Sequence, residues 1–201
     1  THLDLVNLDT PLPKTADSEE MVLIQDKGFE HEGRYLDYLR VQHGEVVDLK
    51  TDGTDAQAFM NTKAALHSGA KVLFQPTFLS APWVGHADFL VRIDTPSKLG
   101  DFSYEVVDTK LSRNSRAKFL LQLCLYSEML AEVQGVMPRH MYVVLGDGRR
   151  DTFIVADYLR YYRQLKQRFL DWTTRSARDS YPERCDRCSM CRWRDLCIAQ
   201  W

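Results

Sequence analysis

Residues 85–112 read GHADFLVRIDTPSKLGDFSYEVVDTKLS, two apolar runs separated by turn-forming residues, with an acid set inside each run. The fold turns on how those acids are tolerated. Runs rich in Val, Phe, Tyr and Leu predict strands, here over Trp83–Ile93 and Ser103–Lys110, with Thr95-Pro96-Ser97 between them. A buried carboxylate is costly unless it is paired or binds a metal, so Asp88 and Asp108 need a reason to be there. Side chains alternate along a strand, which puts Val106, Asp108 and Lys110 on one face and Glu105, Val107 and Thr109 on the other. On the preceding strand Asp88 shares a face with Val84, His86 and Leu90. Pairing the two strands as a hairpin brings Asp88 towards Asp108.

Outward from this hairpin, further elements follow from periodicity and turn chemistry. Residues 1–18 read as irregular, with Pro11 and Pro13. Val22, Leu23, Phe29, Tyr35, Leu36 and Leu39 predict a long helix over Glu19–Val41, interrupted near Gly28 and Gly33. A second helix is expected over Asp55–Leu66, ending near Gly69, followed by a strand over Lys71–Leu79. Ala117–Gln134 reads as helix, and His140–Leu145 and Thr152–Val155 as strands joined by Gly146-Asp147-Gly148. A last helix is expected over Asp157–Ser176, with Asp157 as its N-cap.

The chain has 201 residues, 44% hydrophobic and 27% charged, a composition suited to one sizeable globular domain with a small appendage. It begins at Thr1 without a signal or transit leader and reads as a piece of a longer polypeptide. No apolar run approaches the roughly 20 residues of a membrane span, and a cytoplasmic location is expected. Net charge is −2, but its distribution is uneven: residues 1–109 carry 9 Lys/Arg against 18 Asp/Glu, and residues 110–201 carry 17 against 10. That asymmetry suits an acidic, metal-binding region beside a polyanion track; unevenly solvated surfaces are the plainer alternative.

Two carboxylates with a lysine beside them form a recognisable chemical device. The acids hold Mg²⁺ or Mn²⁺ through oxygen, and the lysine orients a water or stabilises developing charge. A strand-end salt bridge is the alternative for D-x-K alone. Downstream, SRNSRAKFLLQLCLYSEML places Gln122 and Tyr126 four residues apart on one helical face, preceded by Arg113, Arg116 and Lys118. An amide, a phenol and three cations are suitable phosphate and base contacts, although a lone tyrosine at such a place is more often core.

The ordered set GHAD, EVVDTK and QLCLY resembles the RecB-like branch of the PD-(D/E)xK nuclease superfamily, whose motifs run D…(D/E)xK…QxxxY. KGFEHE supplies Gly28, His31 and Glu32 in the G-x-x-H-E context of that branch, and Ala87 stands where other members have proline. The resemblance spans residues 28–126. It implies a restriction-endonuclease-like α/β core, a mixed sheet flanked by helices, over residues 1–180. It also implies His31, Asp88 and Asp108 as metal ligands with the Thr109 carbonyl assisting, Lys110 as catalytic lysine, and Gln122 and Tyr126 as the helix motif. His86 is expected to be structural or a neighbour of substrate.

Four of five cysteines, Cys185, Cys188, Cys191 and Cys197, fall within 13 residues as C-x2-C-x2-C-x5-C. In a tail over residues 181–201 this spacing resembles a ferredoxin-type cluster loop more than two zinc knuckles. Nucleases of the same branch, including those associated with CRISPR loci, hold a [4Fe-4S] cluster with a distant N-terminal cysteine and a C-terminal C-x2-C-x5-C. Cys188, Cys191 and Cys197 match the latter. Either the N-terminal partner lies before Thr1 or Cys185 takes its place, and zinc on four cysteines is the alternative. Cys124 reads as core. Arg184, Arg187, Arg192 and Arg194 surround Trp193, which is either a stacking aromatic for a nucleic-acid strand or a residue packed inward.

The function expected on these grounds is a Mg²⁺- or Mn²⁺-dependent deoxyribonuclease acting on single-stranded DNA or duplex ends, as in DNA repair. A fused or associated helicase or second nuclease domain is in keeping with it. The rivals are a non-catalytic nucleic-acid-binding module with a structural cluster or zinc, and a nuclease acting on RNA.

Overall fold

A computed structural model describes residues 2–175 and 181–201. Contacts divide the chain into two compact units, residues 28–162 and residues 1–27 with 163–201. The boundaries between these units fall inside two long helices.

In residues 28–162 a six-stranded mixed sheet runs in the order β1-β2-β5-β6-β7-β8. Its strands are β1 (Val47–Asp48), β2 (Val72–Phe74), β5 (Phe89–Ile93), β6 (Ser103–Lys110), β7 (His140–Leu145) and β8 (Arg150–Ile154). A two-stranded ribbon, β3 (Thr77–Ser80) with β4 (Trp83–His86), stands apart from it. Helices α3 (Asp55–Ser68) and α4 (Ala117–Gln134) cover one face of the sheet, and the C-terminal part of α2 (Glu19–His43) covers the other. The pair β6–β7 is parallel, with α4 as its crossover, whereas β5–β6 and β7–β8 are antiparallel.

The period-2 pattern decides the layering. From β6 and β7, Tyr104, Val106, Met141, Val143 and Leu145 pack towards α3 and α4 with Leu66, Leu123 and Leu130. Val107 and Val144 turn to the opposite side, against Tyr35, Leu36 and Leu39 of α2. Both faces are buried, and β6 is accordingly inaccessible along nearly its whole length. α3 begins at Thr54, whose hydroxyl accepts the Gln57 N–H, and ends at Gly69, whose φ of 72° is a left-handed cap that suits glycine.

Two predicted strands are each broken in two. Lys71–Leu79 divides at Gln75-Pro76, where Gln75 has φ 54° and Pro76 has no N–H, and Trp83–Ile93 divides at Ala87-Asp88. The breaks lie side by side: Gln75 N–H donates to the Asp88 carbonyl at 2.8 Å and Ala87 N–H to the Pro76 carbonyl at 3.1 Å. One chain pair thus leaves the main sheet at a shared corner and continues as the β3–β4 ribbon. Helix α2 is continuous through Gly28 and Gly33. The irregular reading of residues 1–18 is corrected by α1 (His2–Asp9), and α5 (Val155–Arg175) starts two residues before Asp157, which falls in its first turn.

In the other unit, the tail forms a 3₁₀ turn at Cys188–Met190 and a short helix, α6 (Arg194–Gln200). It is tied to the N-terminal segment by Thr15 N–H to the Arg192 carbonyl at 2.7 Å and by Asp195 N–H to the Thr15 hydroxyl at 3.2 Å. No helix among the described residues is long and apolar enough to cross a membrane.

Candidate functional site

The corner where the sheet gives way to the ribbon gathers the acids. Phe89 pairs with Val107 in the antiparallel register, so the next residue out, Asp88, stands opposite Asp108. Asp88 is fixed by Thr109, whose backbone N–H and hydroxyl both donate to its Oδ2, at 2.6 and 2.7 Å. Asp108 is fully buried, and neither of its oxygens has a hydrogen bond of good geometry. Lys110 Nζ lies 2.5 Å from its Oδ2, and the contact is an ion pair rather than a well-angled hydrogen bond. Burial, and after it the charge of Asp88, pushes the Asp108 carboxyl up to about 7, against the opposing pull of Lys110.

A third carboxylate, Glu32 of the G-x-x-H-E stretch, approaches from α2. His31 is buried, with Nε2 3.2 Å from the Val144 carbonyl. Glu32, one residue on, lies within electrostatic reach of Asp88 and Lys110 and accepts a short hydrogen bond from Gln75 Nε2 at the corner. Burial and the Asp88 charge raise its pKa. Consecutive helix residues point about 100° apart, which sends His31 to the Val144 carbonyl and Glu32 towards the Gln75 corner. The signal for Glu32 was present in KGFEHE; Gln75 had none, because its role comes from the strand break.

The QLCLY helix closes the site. Gln122 Nε2 donates to the Tyr126 hydroxyl at 2.7 Å, and Tyr126 lies near enough to Asp108 and Asp88 for their charges to raise its pKa, second to burial. GHAD and QLCLY are also sterically interlocked. A Cβ on Gly85 would come 2.8 Å from Tyr126 Cε1, so the ring occupies space that only glycine leaves open. His86 is engaged structurally, with Nδ1 3.2 Å from the Thr77 hydroxyl and Nε2 3.6 Å from Asp55. Arg113, Arg116 and Lys118 are exposed on the approach to α4 and pair with no carboxylate among the described residues. Cys124 is buried in the core.

The tail requires one correction. Trp193 is not a stacking surface: it is 2% exposed, packs with Leu3 and Cys197, and donates its indole N–H to Asp4 at 2.9 Å. Indoles bury well when the N–H finds an acceptor, and Asp4 supplies one from 189 residues away. Cys185 and Cys188 are gathered, with sulfurs 3.9 Å apart and the Cys185 N–H directed at the Cys188 sulfur. Cys191 accepts from the Trp193 N–H and Cys197 is buried beside it. Among the described residues no three His, Cys, Asp or Glu side chains stand together as a ready cage for a metal ion. No protein-family model matches the chain, and no curated protein matches it.

Proposed function

We propose that residues 28–162 form a metal-dependent deoxyribonuclease of the RecB-like PD-(D/E)xK type, hydrolysing phosphodiesters in single-stranded DNA or at duplex ends. Asp108 carries the reading. A sheet interior gains nothing from a carboxylate whose oxygens lack hydrogen bonds, opposite a second acid, whereas a hard cation would satisfy both. The all-oxygen donor set suits Mg²⁺ or Mn²⁺, held by Asp88 and Asp108 with the Thr109 carbonyl and Glu32 nearest to hand. His31 remains the ligand implied by the resemblance, from its place beside Val144. When bound, the cation supplies Lewis acidity to the phosphodiester and its attacking water.

The chain's own groups do the rest. Lys110 neutralises Asp108 in the metal-free protein; released from that pair, its ammonium stabilises negative charge developing on phosphate. Thr109 orients Asp88 by donating twice to one oxygen. Gln122 and Tyr126 fix one another and bear on the strand at the acids. Arg113, Arg116 and Lys118 neutralise flanking phosphates. We further propose that Cys185, Cys188, Cys191 and Cys197 hold a [4Fe-4S] cluster or zinc; the gathered Cys185–Cys188 pair supports this. A second reading, a non-catalytic nucleic-acid-binding module, draws on the pairing of each acid with a neighbour: Asp88 with Thr109, Glu32 with Gln75, Asp108 with Lys110.

The deciding experiment incubates the purified protein with end-labelled single-stranded DNA, blunt duplex and single-stranded RNA, in Mn²⁺, in Mg²⁺ and in EDTA. DNA products that disappear in EDTA and in Lys110→Ala are expected. Binding without cleavage in either metal supports the module instead, and cleavage of RNA alone overturns the choice of DNA.

A further inference from the structure

On the α2 side of the sheet lies a cavity of about 430 Å³, lined by His31, the neighbour of Glu32. Its wall includes Arg34, Tyr35 and Tyr38 from the helix, Val144 from β7, and Arg150 from β8, with Gly146-Asp147-Gly148 at the hairpin. The volume lies at the small-ligand end of the roughly 300–1,000 Å³ range of ligand pockets, too small for a duplex.

The lining combines flat apolar surface with unneutralised positive charge. Tyr35 and Tyr38 stack with ring centroids 5.6 Å apart, and Tyr38 is 52% exposed, leaving aromatic surface open. The Tyr35 hydroxyl is buried with no hydrogen-bond partner of good geometry. Arg150 lies 4.6 Å over the Tyr142 ring, which holds the guanidinium in place, and neither it nor Arg34 pairs with a carboxylate among the described residues. The one acid in the lining, Asp147, accepts the Arg149 backbone N–H at 3.0 Å and so is turned to its own hairpin. Gly148 has no side chain to fill the space. A ligand that suits these walls is planar at one end and anionic at the other.

We infer that this pocket holds one nucleotide unit of a single strand, its base against the tyrosines and its phosphate against Arg34 and Arg150. The choice of nucleic acid, rather than another planar anion, rests on the nuclease reading of the neighbouring acids. His31 lines the pocket beside Glu32, so a nucleotide held there would set register rather than perform chemistry.

The test is equilibrium binding of thymidine 5′-monophosphate to the intact protein in EDTA, followed by calorimetry, so that no cleavage is required. Wild type should bind at about 1 mM or tighter. Thymidine alone and inorganic phosphate alone should each bind more weakly. Tyr38→Ala should weaken the nucleotide about tenfold by loss of stacking. Arg34→Ala should weaken it similarly and flatten its salt dependence. Both positions are exposed, and unchanged circular dichroism will show that the variants fold. Absence of binding at several millimolar, or binding unaffected by both substitutions, overturns the pocket while leaving the nuclease reading intact. Nucleotide binding in a protein that cleaves nothing retains the pocket and removes the nuclease.

Discussion

At the residue scale, Asp108 sets the terms. Its folded pKa of about 7 lies well above the ordinary carboxylate value of 3.8, so the folded state holds a proton that the unfolded chain has released. This contribution to stability is fully present below about pH 4 and is lost as pH rises through 7. Asp108→Asn removes the buried charge, so the metal-free variant should melt a few degrees above wild type at pH 8, with the gap closing towards pH 5; a gap that widens on acidification would contradict the sign. Gly85 is the second informative residue. Gly85→Ala drives a methyl into the Tyr126 ring and should lower cleavage at least ~10-fold, since a small misplacement at a site is costly. Unchanged activity in that variant would show that Tyr126 does not need its present position.

At the scale of elements, α2 makes the sharpest distinction. Glu32 faces the acids and His31 faces the Val144 carbonyl, so Glu32→Gln should weaken Mn²⁺ affinity measured by calorimetry more than His31→Gln does. The reverse order would restore the ligand role that the resemblance gives His31. Much of the architecture was legible: Ser103–Lys110 and Ala117–Gln134 coincide with β6 and α4 because their apolar period is unbroken and their ends carry turn residues. The opposition of Asp88 and Asp108 was legible for the same reason. The corner at Gln75-Pro76 and Ala87-Asp88 was not: Pro76 and Asp88 interrupt their runs, but the hydrogen bonds that join the two breaks into one corner are long-range. The contacts of His31 with Val144 and of Glu32 with Gln75 were equally hidden, since a motif states identity and not helix rotation. Residues 1–18 looked irregular because Pro11 and Pro13 dominate that segment, yet they follow α1 rather than interrupt it.

For the molecule as a whole, the tail and the N-terminal segment depend on long-range partners that no local pattern contains. Trp193 owes its burial to Leu3 and Asp4, so Trp193→Ala should destabilise by about 3–5 kcal/mol, the usual range for emptying an aromatic core site. Affinity for single-stranded DNA should change little; a selective loss of binding with stability intact would return Trp193 to a strand-contacting role. The same protein offers a single measurement of the central claim, that Asp88, Asp108 and Lys110 form a nuclease centre. It is the rate of Mn²⁺-dependent cleavage of labelled single-stranded DNA by wild type and by Asp108→Asn, a nearly isosteric change that preserves the sheet. Wild type should cleave at a rate that EDTA abolishes, and the variant should lose at least ~100-fold, the scale on which removing one electrostatic contributor acts. Cleavage by well-folded Asp108→Asn at the wild-type rate, or none by wild type in either metal, would contradict the central claim.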